Sequence, residues 1–424
     1  MSATSPVHSP APTYAAVLRT PHARRTFGAA LLGRLSNGTA PLSLILAVKG
    51  STGSYAVAGT VMAVLGLTSV PLSPARAALV DRFGPRRVLP PLAAGYALLL
   101  TALAVATATS GTPTLALVVL AAAAGTLTPP LGPVMRALFS EMLSDRNLLR
   151  RAYSLDTVAE ELLFVSGPLL VGLIVGYASA PAGLVVSAGL VLVGTLALVT
   201  SPVARSGKRK PASPAPENET AEEMGATRDA GVLRAVAVAA AMGVCLGAVD
   251  LLVIAFAEEH RMPGAVPWAL AALSAGSAVG GLVHGAVDWR MPTAVRLPLL
   301  TLGLGAVLAV AGLSPHPYAL IGWVALGGLF LAPALTSAYL LADESAGPGR
   351  RTQAGAWVNT AFNAGATGAT AAAGLLVGTL PPAVCFALAA LPAVGTAVGT
   401  LVPAVSWRRL RPLPKSVAGA EPAQ

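Results

Sequence analysis

The chain has 424 residues, of which 54% are hydrophobic and 11% charged, and its formal net charge is +10. A soluble globular chain carries about 25% charged residues, and a mean hydropathy of +0.71, concentrated in long apolar blocks, excludes that class in favour of a helical membrane protein. Two cysteines, Cys245 and Cys385, and five scattered histidines offer no disulfide framework, CxxC site or HExxH spacing, so no metal is expected.

Residues 1–26 are polar and rich in Pro, Ser and Ala, ending in Arg19, Arg24 and Arg25. With no cleavage site behind a short apolar core, they read as a retained cytoplasmic tail. A bilayer core about 30 Å thick takes about 20 apolar residues in a helix. Blocks of that length fall at 27–48, 55–73, 88–107, 114–135, 152–177 and 182–203. Residues 204–230 hold Lys208, Arg209, Lys210, prolines and glutamates with no helical apolar pattern, the composition of a cytoplasmic linker. Six more blocks follow at 232–256, 266–287, 297–313, 318–341, 354–380 and 383–405, before a second tail at 406–424. The expected fold is all-α, with 12 transmembrane helices in two pseudo-symmetric six-helix bundles, 27–203 and 231–405.

Position gives the charge its meaning. If the chain starts inside and crosses at every block, all of the 28 lysines and arginines fall on the inner side except Lys49 and Arg261, outside, and Arg34, within helix 1. That bias puts both termini in the cytoplasm. The halves also echo each other: Gly125 and Pro130 recur as Gly328 and Pro333, and Gly172 and Gly176 as Gly374 and Gly378, as in transporters built from two repeats.

The loop after predicted helix 2 reads Ala77-Ala78-Leu79-Val80-Asp81-Arg82-Phe83-Gly84-Pro85-Arg86-Arg87. A carboxylate there can pair with arginine and with the N-terminus of a neighbouring helix, holding an inner gate shut, and Gly84 permits the tight turn. Through Leu79, Asp81, Arg82, Gly84 and Arg86 the chain resembles the major facilitator superfamily, with Ala77 and Pro85 standing where the family pattern has glycine and a basic residue. In predicted helix 5, Gly167, Pro168 and Gly172 are similar to the motif of the proton-coupled antiporters of that superfamily, with Leu163 and Val171 in place of glycines. A proline beside glycines lets one bundle approach the other. Gly276-x-x-x-Gly280 and Gly281-x-x-x-Gly285 on helix 8 offer the partner face.

Helix 4 carries Thr126, Thr128 and Pro130, and helix 10 carries Pro333, Thr336 and Ser337. Broken helices free backbone carbonyls, which lipid cannot satisfy and a protein-enclosed cavity can. The resemblance implies that helices 1, 4, 7 and 10 surround the substrate path, which makes these six residues lining candidates.

Charges inside helices point to mechanism, since centring one in the bilayer costs about 2.5–3.5 kcal/mol even on the permissive scale. Arg34 lies within helix 1. Asp156 and Glu160 share a face of helix 5 at i, i+4, with Asp156 near the helix start, where a headgroup-level charge is the simpler reading. Glu161 lies beside them, and Asp250 sits in the outer part of helix 7. Arg136 is placed at the cytoplasmic end of helix 4, outside this set. The expected relay has Glu160, Glu161 or Asp250 exchanging a proton while Arg34 tunes its acidity.

The expected function is that of a secondary active transporter working by alternating access. It couples proton entry to export of a small apolar or amphipathic compound across the plasma membrane. The proton gradient is its energy source and it has no bound cofactor. Its partners are the small-molecule substrate and the lipid bilayer, with no nucleic acid and no obligatory protein partner, so that it works as a monomer. An uptake permease for a small metabolite and a non-transporting membrane sensor are the alternatives. No converging nucleophile and base and no GxxxxGKS loop favours an enzyme or an ATP-driven pump.

Overall fold

The computed structural model describes residues 13–205 and 221–410 apart from Ser110, Pro263, Pro348 and Gly378. Residues 1–12 of the predicted N-terminal tail, most of the predicted C-terminal tail, the middle of the predicted linker (206–220) and the Gly378 repeat position therefore lie outside the described residues. A short helix, Tyr14–Arg19, precedes α1 (Ala23–Thr52), α2 (Tyr55–Phe83) and α3 (Pro85–Ala108). Then come α4, in two pieces (Thr114–Leu127 and Leu131–Met142), α5 (Arg146–Tyr177), α6 (Ala180–Val199) and a single turn, Pro202–Arg205. The second set is α7 (Ala221–Glu259), α8 (Ala265–Ala286), α9 (Thr293–Ala311), α10 (Pro317–Ser345), α11 (Arg351–Leu376) and α12 (Pro382–Leu410).

Local chemistry sets the helix ends. Gly53 and Gly84 take positive φ of 70° and 84°, closing α1 and turning α2 into α3, and Pro85 starts α3 at a position where a missing N–H costs nothing. Asp145 caps α5 through the N–H groups of Asn147 (2.7 Å) and Leu148 (3.3 Å), and Ser179 caps α6 through Ala182 N at 3.4 Å. Among the described residues, eleven spans are long and apolar enough to cross a membrane. The twelfth, α11, has the length, but Gln353, Asn359 and Asn363 lower its hydropathy.

The break in α4 follows from its prolines. Pro129 and Pro130 lack the N–H groups that would bond the carbonyls of Gly125 and Thr126 four residues earlier. Arg76, buried on α2, replaces both: its Nη1 donates to Gly125 O at 2.8 Å and to Thr126 O at 3.0 Å, and its Nη2 donates to Ser69 O at 2.6 Å. Close approach of α2 and α4 makes this possible, since a Cβ on Gly125 would lie 2.5 Å from Leu65 O and 3.1 Å from Ser69 N.

The second half repeats the crossing. A Cβ on Gly328 of α10 would lie 2.3 Å from Leu273 O and 2.9 Å from Ser277 N of α8. Gly125 and Gly328 thus pack their helices against equivalent backbone atoms, and the fold is two pseudo-symmetric six-helix bundles, α1–α6 and α7–α12. They meet chiefly through α2 with α11 and α5 with α8.

Several predicted boundaries need correction. Helix α2 runs on to Phe83, α5 begins at Arg146, α4 extends to Met142, and α7 starts at Ala221, inside the predicted linker. Arg76, Arg136, Arg150, Arg151 and Arg296, placed above on the inner side outside the apolar blocks, are instead buried helix residues. The apolar pattern stops where they begin because hydropathy registers an arginine as an end, whereas a paired or carbonyl-bound guanidinium can continue a helix inside protein.

Candidate functional site

Four charged side chains from three helices of the first bundle meet in one cluster. Arg34 lies about 17 Å along α1 from Ala23, and Asp156 and Glu160 lie about 15 and 21 Å along α5 from Arg146. Arg136 comes from the second piece of α4. Arg34 Nη1 donates to Asp156 Oδ1, and its Nη2 lies 3.0 Å from Glu160 Oε2. Arg136 Nε lies 2.8 Å from Asp156 Oδ2, and its Nη2 donates to Glu160 Oε2 at 2.6 Å. Two guanidiniums and two carboxylates make a neutral square, in which each cation touches both anions.

Neighbours fix the square in place. Gly132 lies against the Arg34 guanidinium, to which a Cβ there would make an ordinary contact at 3.8 Å. Tyr153 donates to the Arg136 carbonyl at 3.1 Å. The face of Arg136 rests on the ring of Tyr339, on α10 of the other bundle, 3.6 Å from its centroid, a cation–π contact. Exposure distinguishes the members: the side chains of Arg34 and Asp156 are 1% and 0% exposed, and that of Glu160 is 26% exposed. Glu160 is therefore the only partly exposed member of the four.

Two expectations change here. Asp156 is no headgroup charge but the buried counterion of both arginines, and Arg136, which its sequence position leaves outside the set, stands opposite Arg34 in the centre. Arg34 does neighbour a candidate proton carrier, Glu160. Glu161 points elsewhere and accepts from Ser277 Oγ of α8 at 3.4 Å. Asp250 is exposed on α7, apart from the square.

The bundles are joined on the side where α2 ends and α5 begins, the arginine-rich end. The carboxylate of Asp81 accepts the backbone N–H groups of Thr352 (3.3 Å) and Gln353 (2.9 Å) in the first turn of α11. Asp288, between α8 and α9, receives Arg150 at 3.1 Å and Arg151 at 3.5 Å from α5. Ser140 donates to Asp343 Oδ2 at 3.0 Å, and Thr157 meets Thr336 at 3.3 Å. Of the loop motif, Asp81 makes the cross-bundle bond and Gly84 makes the turn. Arg82 stacks on its neighbour Phe83, while Leu79 and Arg86 are exposed. Asp288 is absent from the candidates named from sequence, and the signal that marks it is its place in a second-half loop equivalent to that of Asp81.

Gly167 and Pro168 contribute differently from expectation. A Cβ on Gly167 would lie 2.5 Å from the carbonyl carbon of Gly38, so this glycine seats α5 on α1 within one bundle. Pro168 and Gly172 are exposed. Helix α8 divides its glycines likewise: Gly276 and Gly280 pack on α10, and Gly281 and Gly285 face Val158 and Ser154 of α5. The bundle contact thus lies nearer the arginine-rich end than Gly167.

The lining candidates sit mostly in packed interior. Pro130, Pro333, Thr336 and Ser337 are buried, and Ser337 donates to Pro333 O at 2.8 Å while accepting from Arg296 Nε at 3.3 Å. Thr128 is half-buried and Thr126 exposed, each bonding a carbonyl of its own helix, at 3.3 Å to Ala124 and 2.7 Å to Ala123. Past the level of Glu161, Asp250, Phe164, Pro168, Leu169 and Asn363 are all exposed, and the cross-bundle bonds described above lie toward the arginine-rich end. Among the described residues no group of His, Cys, Asp and Glu could hold a metal ion.

A family model described as Major Facilitator Superfamily matches residues 26–313. Solved structures share the fold. A bacterial homologue of the iron transporter ferroportin, in an outward-facing state with soaked iron, aligns with a TM-score of 0.69 at 14% identity, covering 91% of this chain and 98% of that one. The human organic anion transporter MFSD10 (TETRAN) aligns with a TM-score of 0.65 at 16% identity, covering 89% and 99%. No curated protein matches the sequence.

Proposed function

We propose that this chain, which belongs to the Major Facilitator Superfamily, is a proton-coupled exporter of small apolar or amphipathic compounds. Family membership points to a membrane transporter rather than an enzyme; coupling and substrate are inferred from the site. The observation that carries the reading is Glu160: one partly exposed carboxylate in a charge square whose other three members are buried.

The chemistry follows from the arithmetic of the square. With Glu160 ionised, the four charges cancel. A proton taken from the open cleft leaves the pair of arginines to share Asp156, with one positive charge uncompensated. An arrangement stable in one protonation state is thereby strained in the other, which is what coupling to a second conformation requires. In that second conformation the gate at Asp81 and Asp288 parts, and the proton leaves on the other side. We place the arginine-rich end in the cytoplasm, in keeping with the positive charge gathered there.

The solute class rests on the cleft walls. Phe164, Val165 and Leu169 are exposed on the open part of α5, and Arg34 and Arg136 are already neutralised, which favours an uncharged or amphipathic solute over an organic anion. The experiment is flux of a panel of amphipathic dyes in liposomes holding the purified protein under an imposed pH gradient. Gradient-dependent flux is expected from the native chain, with loss of gradient drive but retained dye exchange in Glu160→Gln. Flux indifferent to the gradient, or full gradient drive in Glu160→Gln, overturns the reading.

A further inference from the structure

The segment ahead of the first transmembrane helix does more than lead into it. Thr13 caps the short helix Tyr14–Arg19 by accepting from Ala16 N at 3.2 Å, and Val17 is buried in the core. The segment is thus seated on the first bundle. From there Tyr14 reaches the second: its hydroxyl donates to the carbonyl of Leu282 on α8, with Gly281 O at 3.5 Å.

The landing site is shaped for that hydroxyl. A Cβ on Gly285 would lie 2.2 Å from Tyr14 Oη and 2.8 Å from Ser154 Cβ, so the short helix, α5 and α8 meet at one glycine. The phenol keeps its proton, because burial raises its pKa against the pull of Arg151 and Arg150. Beside it, Arg151 donates to Ala286 O at 2.9 Å, and Arg150 and Arg151 hold Asp288. All of these contacts join the bundles at the arginine-rich end.

We infer that the N-terminal segment is a latch: Tyr14, carried by the first bundle, bolts α8 of the second and holds the arginine-rich end closed. This rests on the alternating-access reading above, since a latch has meaning only if that end opens. Opening separates α5 from α8 at Ser154 and Gly285. Tyr14 must then release Leu282, whose carbonyl keeps its own helical bond, so the bolt undoes without leaving the helix short of a partner. The segment can therefore tune how readily the protein opens at that end while taking no part in binding solute.

The test is a distance measurement by spin labels at Ser144→Cys and Met291→Cys, exposed positions on the two bundles at this end, with the native Cys245 and Cys385 buried. Tyr14→Phe keeps the ring and removes the bond. The expected result is a rise of about two- to tenfold in the ratio of open to closed populations, the range for one hydrogen bond. Asp81→Asn, which weakens the gate elsewhere, serves as the comparison. Opening in Asp81→Asn with no change in Tyr14→Phe and Tyr14→Ala overturns the latch alone. No opening in any variant, with or without a pH gradient, overturns alternating access at this end and the latch with it.

Discussion

Asp81 accepts a 2.9 Å hydrogen bond from the backbone N–H of Gln353, so the last turn of α2 holds the first-turn amides of a helix in the opposite bundle. The negative charge meets the positive end of the α11 dipole as well as its free N–H groups. Asp81→Asn keeps an acceptor but loses the charge. It is expected to weaken closure by about 1 kcal/mol, roughly fivefold in population. Alkylation of a cysteine placed at Thr360, which donates to Val70 O at 3.1 Å beneath the gate, should quicken accordingly; an unchanged rate would remove Asp81 from the gate.

Asp156 and Glu160 should separate on mutation, although they sit one helical turn apart. Asp156→Asn leaves two buried guanidiniums with one carboxylate and is expected to cost about 3–5 kcal/mol, seen as poor recovery and a low unfolding midpoint in detergent. Glu160→Gln, at the exposed corner, should keep most of the native stability while abolishing gradient-driven flux. Equal stability loss in both would mean that the square is structural throughout.

Arg76→Ala should destabilise the first bundle by about 2–4 kcal/mol, because the carbonyls of Gly125 and Thr126 lose their donor inside protein. Lysine at this position brings donors on a point-like head rather than a planar fork and should recover part of that loss. Denaturation in mixed micelles reads both. Stability equal to native in Arg76→Ala would show that water replaces the guanidinium.

Of the three glycines of α5, Gly167 matters for packing, whereas Gly172 and Gly176 face open space. Gly167→Ala drives a Cβ into the Gly38 backbone at 2.5 Å, forcing α1 and α5 apart at an expected cost of about 1–3 kcal/mol. Gly172→Ala, with nothing within 4 Å of the added carbon, should be neutral or slightly stabilising through helix propensity. Thermal unfolding of the pair checks the assignment.

Much of the fold is legible in the amino-acid sequence, since a bilayer demands apolar blocks of a set length and each of the twelve helices contains most of its predicted block. Boundaries are less so. Arg76, Arg150 and Arg151 look like loop residues because a hydropathy pattern cannot see a guanidinium spent on carbonyls or on Asp288. The site is legible in parts: Arg34, Glu160 and the i, i+4 relation of Asp156 to Glu160 can be read directly, whereas Arg136 is hidden because it stands just past the end of its apolar block, where an arginine reads as a loop charge.

Twelve helices and a carboxylate at Asp81 fit to bond a neighbouring helix start were legible in the sequence alone, because helix length, solvation cost and helix-end chemistry are local properties of the chain. Which charges face each other was decided by tertiary structure. Arg34, Arg136, Asp156 and Glu160 come from α1, α4 and α5, and the crossings at Gly38 with Gly167 and at Gly33 with Leu131 bring those helices into the register that turns four costly charges into a neutral square. The same holds for Tyr14, an unremarkable residue in a polar leader until α8 lies across its path.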